Sequence, residues 1–253
     1  MPNDPPLPLY VINLDRAPER WRRTCAGLAA LGLTAERVPA VDAAAGQHLA
    51  VSRYDEALSR RRQGAPQKPG ALGCFASHYL LWQRIAESRR AAVVLEDDLE
   101  FGPGFPEALS LAAGLVEPLR YLRLSTLNRR KRSRTLRELG GGYRLVRFGR
   151  RPMGTQAYAL SPAGAERLLA HAQRWYEPVD DYMDAFWRHG LPPLAILPFA
   201  VDHADAGLSY IQTGAPDHRR SPAEALRYHF YRRLDALRAR LWLLLHRNAG
   251  TPA

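Results

Sequence analysis

The sequence predicts an α/β fold: a mostly parallel sheet flanked by helices, followed by a C-terminal amphipathic helix. Three observations predict it. Strand-like and helix-like segments alternate through the first half of the 253 residues, the order that open parallel sheets produce. Residues 91–95, AAVVL, are a compact apolar run that suits a strand buried on both faces. A hydrophobic content of 46% is enough for a substantial core, and no run of about 18 apolar residues offers a membrane span.

Taken in order, LYVINL (9–14) reads as the first strand. A helix follows, with Pro18 near its start and Gly32 past its end, and Trp21, Cys25 and Leu28 share one face. A short strand around Arg37 to Val41 leads to Asp42 and a polar loop. Pro69-Gly70 opens a longer helix in which Phe75, Tyr79, Trp82 and Ala86 keep helical spacing. After the 91–95 strand, FGPGFPEALSLAAGL predicts a turn and a helix, and YLRLS a strand. The stretch 128–142 lacks apolar periodicity and predicts a mobile loop. YRLVRF and TQAYAL are strand-like, Ser161-Pro162 caps a helix, and one more helix is expected from about Pro178 to Gly190. The domain reading is 1–215 as one unit and 216–253 as a basic amphipathic tail.

Charge narrows the partners. The net charge is +11, and Lys68 and Lys131 are the only lysines, so the balance is carried by arginine. Arginines concentrate at Arg60 to Arg62, Arg129 to Arg137, Arg144 to Arg151 and in the tail. Phosphorylated small molecules, an anionic membrane surface and nucleic acid all suit such patches. Cys25 and Cys74 are the only cysteines, which predicts a reducing, cytoplasmic setting without a disulfide framework. The opening MPNDPPLPLYVINL has no basic n-region, so no secretory signal is expected.

Against this basic background, the 91–95 strand runs into Glu96, Asp97 and Asp98. Adjacent carboxylates repel and must be solvated, paired or metal-bound. In open α/β sheets ligands bind beyond the carboxyl ends of the strands, and oxygen donors there suit Mg²⁺ or Mn²⁺ shared with phosphates.

VINLDRAPERW, GCFASHYLLW, VVLEDDLEF and GTQAYALSPAGAERLL follow one another in that order. Together they resemble glycosyltransferase family 25, which holds bacterial lipooligosaccharide galactosyltransferases and procollagen galactosyltransferases. The resemblance covers about residues 8–212. It implies a GT-A-like, Rossmann-type sheet, a UDP-sugar donor and an acid-x-acid motif at Glu96-Asp97-Asp98, with Glu96 toward the ribose and Asp98 on the metal. Asn13, Asp15 and Arg16 would border the nucleotide. Asp42 stands where the family has an Asp-Gly pair, but Ala43 replaces the glycine. Ser77 and His78 would pack under the donor site or touch it.

Gly154 and Thr155 precede a strand and are candidates to lie beside the transferred sugar. Inverting transfer needs a carboxylate base; the candidates are Asp181 and, second, Asp180. By analogy with other GT-A enzymes, His203 would join Asp98 and Glu96 on the metal. The expected activity is therefore a metal-dependent hexosyltransferase. It would carry galactose from UDP-galactose to a saccharide or lipid-linked saccharide acceptor.

Leu226, Phe230, Leu234, Leu237, Leu241 and Leu244 repeat through the arginine-rich tail, which would lie on an anionic membrane or pack on protein. Without a signal, and ending NAGTPA, the chain is expected to follow the bacterial lipopolysaccharide branch on the inner face of the cytoplasmic membrane. Two other readings use the same residues: a metal-dependent nuclease or phosphohydrolase, and a noncatalytic nucleic-acid-binding protein built on 129–137. That stretch lacks interleaved aromatics, so nucleic acid is not the expected partner. The loop is instead expected to close over the donor diphosphate or to meet an anionic acceptor.

Overall fold

The computed structural model describes residues 5–46, 48–127, 131–203 and 221–250. The domain boundary expected at 215/216, Arg129 and Arg130 fall outside these residues. The chain begins β1 (Leu9–Asn13), α1 (Pro18–Ala29), β2 (Glu36–Pro39), a 3₁₀ turn (Leu49–Arg53), α2 (Glu56–Gln63), α3 (Pro69–Ser88) and β3 (Ala92–Glu96). Next come β4 (Leu99–Phe101), α4 (Phe105–Leu119), β5 (Tyr121–Arg123), β6 (Ser133–Gly140), β7 (Tyr143–Phe148), β8 (Ala157–Leu160) and α5 (Pro162–His171). The last elements are α6 (Val179–Met183), α7 (Phe186–His189), β9 (Leu194–Leu197), β10 (Val201–His203) and α8 (Pro222–Leu245).

Period-two alternation divides the core. Leu9 and Val11 of β1 join Val93 and Leu95 of β3 on one face, against Leu28 of α1 and Leu109 of α4. Tyr10, Ile12 and Val94 point to the opposite face, against Phe75 and Trp82 of α3 and Leu168 of α5. The acidic triplet therefore ends a strand sandwiched between helices, as the AAVVL run predicts.

The sheet corrects one expectation. Its eight strands run in the order β2-β1-β3-β8-β5-β9-β7-β6 and are mixed rather than mostly parallel. β1 pairs parallel with β2 and β3, and β5 with β9. β8 lies antiparallel between β3 and β5, and β7 antiparallel to β6 and β9. A fully buried strand is apolar on both faces in either direction, so TQAYAL carries no sign of its reversal. The reversal matters for the site. β1 and β3 end, and β8 begins, at one edge: Leu95 stands opposite Ala157, and Glu96 N–H donates to Gln156 O at 2.8 Å.

Two further expectations change. Residues 133–140, inside the expected loop, form β6 at the sheet's far edge, with register irregularities between Thr135 and Arg137 and between Glu138 and Gly140. Those irregularities break the alternation, and charge on an edge strand guards it against further pairing. The single helix expected over 178–190 is two short ones, α6 and α7, because the Asp184 carboxylate between them is taken by Arg123 and by Met153 N–H.

α8 begins at Ser221 with a reciprocal capping box to Glu224. It packs on α2 and α7 through the Arg62–Asp235 ion pair (3.2 Å) and the Phe186–Trp242 ring contact. Among the described residues no helix is long and apolar enough to cross a membrane.

Candidate functional site

A cleft opens beyond the ends of β1 and β3. It is lined by Arg16 and Arg20 near the start of α1, by Val41 to Ala43 after β2, by Gly73, Cys74, Ser77 and His78 of α3, and by Glu96, Asp97 and Asp98. Its base is a close approach of two backbones. A Cβ on Gly73 would lie 2.3 Å from Val41 O, so glycine on the helix supplies a proximity that Ala43 cannot.

The three acids have three environments. Glu96 accepts a hydrogen bond from Thr155 Oγ1 (2.6 Å), and His78 Nε2 stands 3.6 Å away, too far for a hydrogen bond. Burial pushes the Glu96 carboxyl up, but His78, the Thr155 hydroxyl and His203 outweigh it and hold it below its ordinary value. Asp97 turns the other way. It accepts from Asn13 Nδ2 (2.6 Å) and pairs with Arg20 (3.1 Å), and its carbonyl accepts from Thr24 Oγ1 (3.1 Å). Burial raises its carboxyl, with Asn13 and Arg20 opposing.

Asp98 is the unbalanced member. Burial and then the Glu96 charge push it up to about 6, against the pull of His203 and Arg20. Its buried Oδ1 has no protein partner, and neither has the buried His203 Nε2. The small β4–β10 ribbon sets His203 opposite Leu99, the residue after Asp98. An acid and an imidazole, each with an unused buried lone-pair atom, fit a divalent cation. The Cys74 thiol, a His78 ring nitrogen and a Glu96 oxygen also lie within 4.8 Å of one another and could hold a metal ion. The expected set Asp98, Glu96 and His203 is not gathered that tightly. It shares Glu96 with the tighter group. Burial, then Glu96, pushes the Cys74 thiol well above its ordinary range, so its sulfur is protonated unless a metal displaces the proton.

Behind the acids lies a bonded scaffold. Trp82 Nε1 donates to the Tyr158 hydroxyl oxygen (2.9 Å), leaving the hydroxyl proton for His78 Nδ1 (2.8 Å). That network puts the imidazole proton on Nε2, facing Glu96. Ser77 donates to Gly73 O (2.7 Å) and accepts from Val41 N–H (2.8 Å), so its hydroxyl joins α3 to the 41–43 loop. Arg123 and Asp184, each 1% exposed, pair at 2.7 Å. The same guanidinium bonds Gly154 O. Met153 and Gly154 hold φ +67° and +92°, and this buried pair fixes the turn that presents Thr155.

The other candidates distribute as follows. Asn13 is buried, bonded to Ala17 O (2.9 Å), Asp97 and Arg37, and does not line the cleft. Asp15 is exposed and pairs with Arg37 at 2.6 Å. Arg16 pairs with Asp42 at 3.1 Å across the cleft mouth. Asp181 is held by Arg151 and by Arg232 of α8 (3.3 Å). Burial and then Asp181 push Asp180 up to about 6, and its charge reaches Cys74 and Arg123. Asp181, the carboxylate expected first as base, is thus engaged by two arginines. Of the stretch expected over the donor diphosphate, residues 133–140 follow the far sheet edge, while Lys131 bonds Arg151 O.

Sequence reasoning passed over Gly73 and Cys74, although both stand at or inside the GCFASHYLLW block, and over Tyr158, Arg123 and Asp184. Arg123 did leave a signal, a charge in the middle of the apolar run YLRLS. A buried charge requires a buried partner.

Comparison with known proteins adds the following. Residues 7–183 match the model of glycosyltransferase family 25 (LPS biosynthesis protein). A glycosyltransferase 25 family member of Aedes aegypti is 28% identical over 205 residues, covering 69% of this chain and 30% of its own length. The inactive glycosyltransferase 25 family member 3 of Mus musculus is 33% identical, covering 72% of this chain and 32% of its own. Its counterpart in Homo sapiens is also 33% identical, covering 69% and 31%. The chain thus spans about a third of the length of these relatives. The expectation of a working hexosyltransferase is corrected by the mammalian relatives: proteins this similar are named inactive, so likeness to the family does not bring turnover with it.

Proposed function

The chain belongs to glycosyltransferase family 25, and from that premise we propose that its cleft binds a nucleoside-diphosphate sugar together with a divalent cation. The observation that carries the reading is the pair of unused buried atoms, Asp98 Oδ1 and His203 Nε2, at the donor end of the sheet. Asp98 and His203 would hold Mn²⁺ or Mg²⁺, with Glu96 the third donor. A bound cation would neutralise a diphosphate. Arg16 and Asp42 frame the nucleotide end, Gly73 keeps the floor low, and Thr155 with Gly154 faces the sugar. Asp97, braced by Asn13 and Arg20, keeps the acidic turn in place.

UDP-galactose is the first donor to test, UDP-glucose the second. The acceptor proposed is a saccharide of lipopolysaccharide type, following the description of the family. Residues 1–215 form the donor-binding unit in this reading, and 216–253 its basic appendage.

Calorimetric titration of UDP-galactose and UDP-glucose into the purified protein, with and without Mn²⁺, tests the reading. The expected result is cation-dependent binding of one donor that Asp98→Asn weakens by about tenfold or more, and His203→Ala by less. Binding of no UDP-sugar by folded protein, or binding indifferent to Mn²⁺ and to Asp98→Asn, overturns it.

A further inference from the structure

A second charge cluster lies at the sheet edge farthest from the acids. Arg134 of β6 and Arg147 of β7 stand directly opposite in the antiparallel pair, a like-charge juxtaposition that weakens a sheet. Two more arginines, Arg240 and Arg247, come from the C-terminal part of α8 and its exit. With Leu243 and Leu244 the four arginines line one open depression. Arg147 anchors the helix end there, donating to His246 O at 2.7 Å. Burial and the neighbouring Arg134 lower its pKa. Among the described residues, no carboxylate pairs with any of the four. Folding has gathered four cations where none neutralises another.

The depression continues into the outward face of α8. At 3.6 residues per turn, Leu226, Phe230, Leu237, Leu241 and Leu244 fall on one stripe. Their side chains are 72%, 61%, 52%, 49% and 55% exposed. Tyr231, Asp235, Ala239 and Trp242 lie on the opposite side, facing α2 and α7. Arg233, Arg240 and Arg247 flank the stripe on one side, Arg227 and Arg238 on the other. Leu234, expected on the apolar stripe, is half-buried at its margin. A docked helix that turns an apolar stripe outward between two rows of arginines has the charge and polarity pattern of an interfacial helix, not of a protein-covered one.

We propose that this face seats on an anionic bilayer: the leucine stripe enters the headgroup boundary, and the Arg134, Arg147, Arg240 and Arg247 cluster takes a lipid phosphate. Charge complementarity selects the occupant. A second copy of the chain would bring the same arginines against themselves, and a neutral bilayer would leave the cluster uncompensated. The proposal is independent of donor binding.

Flotation with vesicles of phosphatidylcholine alone, and of phosphatidylcholine with phosphatidylglycerol, is the test. Calorimetry with inorganic phosphate and sedimentation of the free protein accompany it. The protein floats with the anionic vesicles and at least tenfold less with the neutral ones. Arg240→Glu with Arg247→Glu lowers anionic partition by roughly tenfold or more, and so does Phe230→Ser with Leu237→Ser. Added salt weakens the wild type more than the double-Glu variant. Circular dichroism shows both variants folded, and both keep wild-type affinity for the donor. Several outcomes overturn the proposal: equal or absent partition on the two vesicles, variants that partition like wild type, or a dimer dispersed by the serine variant. Phosphate binding without vesicle binding likewise overturns it, and assigns the cluster to a soluble anion.

Discussion

The acidic cleft and the arginine face are opposite in sign and alike in one respect: each holds charge that no described residue pairs with. They differ in how the rest of the charge is handled. In the cleft, Asp97 has Asn13 and Arg20, Glu96 has Thr155, and Asp98 keeps a buried oxygen, Oδ1, without a partner among the described residues. On the arginine face four guanidiniums share an open depression with no acid among the described residues that line it. A single unpartnered buried oxygen inside a bonded frame suits one ion held in place. A broad excess on an exposed surface suits a field that many anions answer. Between them lies the balanced case, Arg123–Asp184, in which both charges are buried and matched.

That balance is the first thing to break. Arg123→Ala leaves Asp184 buried and unpaired and unties Gly154, with an expected loss of about 3–5 kcal/mol in urea denaturation. A loss below about 1 kcal/mol would show that the pair is not what holds the turn. Gly73→Ala puts a methyl against Val41 O. An expected cost of about 1–3 kcal/mol comes with weaker donor binding, both read on the same sample.

Asp98→Asn sharpens the contrast by acting in the opposite direction. The Asp98 carboxyl is raised in the folded protein, so the native state binds protons more readily than the unfolded one between about pH 6 and pH 4. Wild-type stability therefore rises as pH falls through that window. Asp180 contributes in the same sense. The asparagine variant should melt about 2–4 °C higher at pH 7 and show a shallower pH slope, while losing cation-dependent donor binding. A variant less stable at pH 7 would mean that Asp98 is compensated after all. For wild type, that binding should weaken as Asp98 protonates below about pH 6, read by titration at stepped pH. The smallest effect is expected from Arg232→Ala. It releases one of two arginines from Asp181 and should change stability by about 0.2–1 kcal/mol.

Most of the site-bearing half was legible in sequence because its elements announce themselves twice. β1 and β3 are apolar runs ending in polar residues, and α1 and α3 carry proline at the start as well as helical spacing. The other half was not. β6 is mostly polar because it is an edge, only Leu136 and Leu139 pack against the core, and its irregularities erase the period. β8 could be recognised as a strand but not given a direction. The acids were plain from their adjacency, whereas the proximity of His203 depends on a three-residue ribbon, β4–β10, that no periodicity reveals. The engagement of Asp181 depends on arginines 30 and 51 residues away, invisible to any local pattern.

The reversed central strand also sets a timetable. Glu96 receives its Thr155 hydroxyl from 59 residues downstream, and β10 arrives later still. During synthesis the parallel unit of β1, β2 and β3 is finished while its acids still lack the groups that position them. Contacts so distant in sequence form late, since the intervening chain must first be closed into a loop. A nascent chain therefore carries three crowded carboxylates on a nearly complete half-sheet. The cleft and its surroundings are complete only after residue 203 has left the ribosome and β10 has docked.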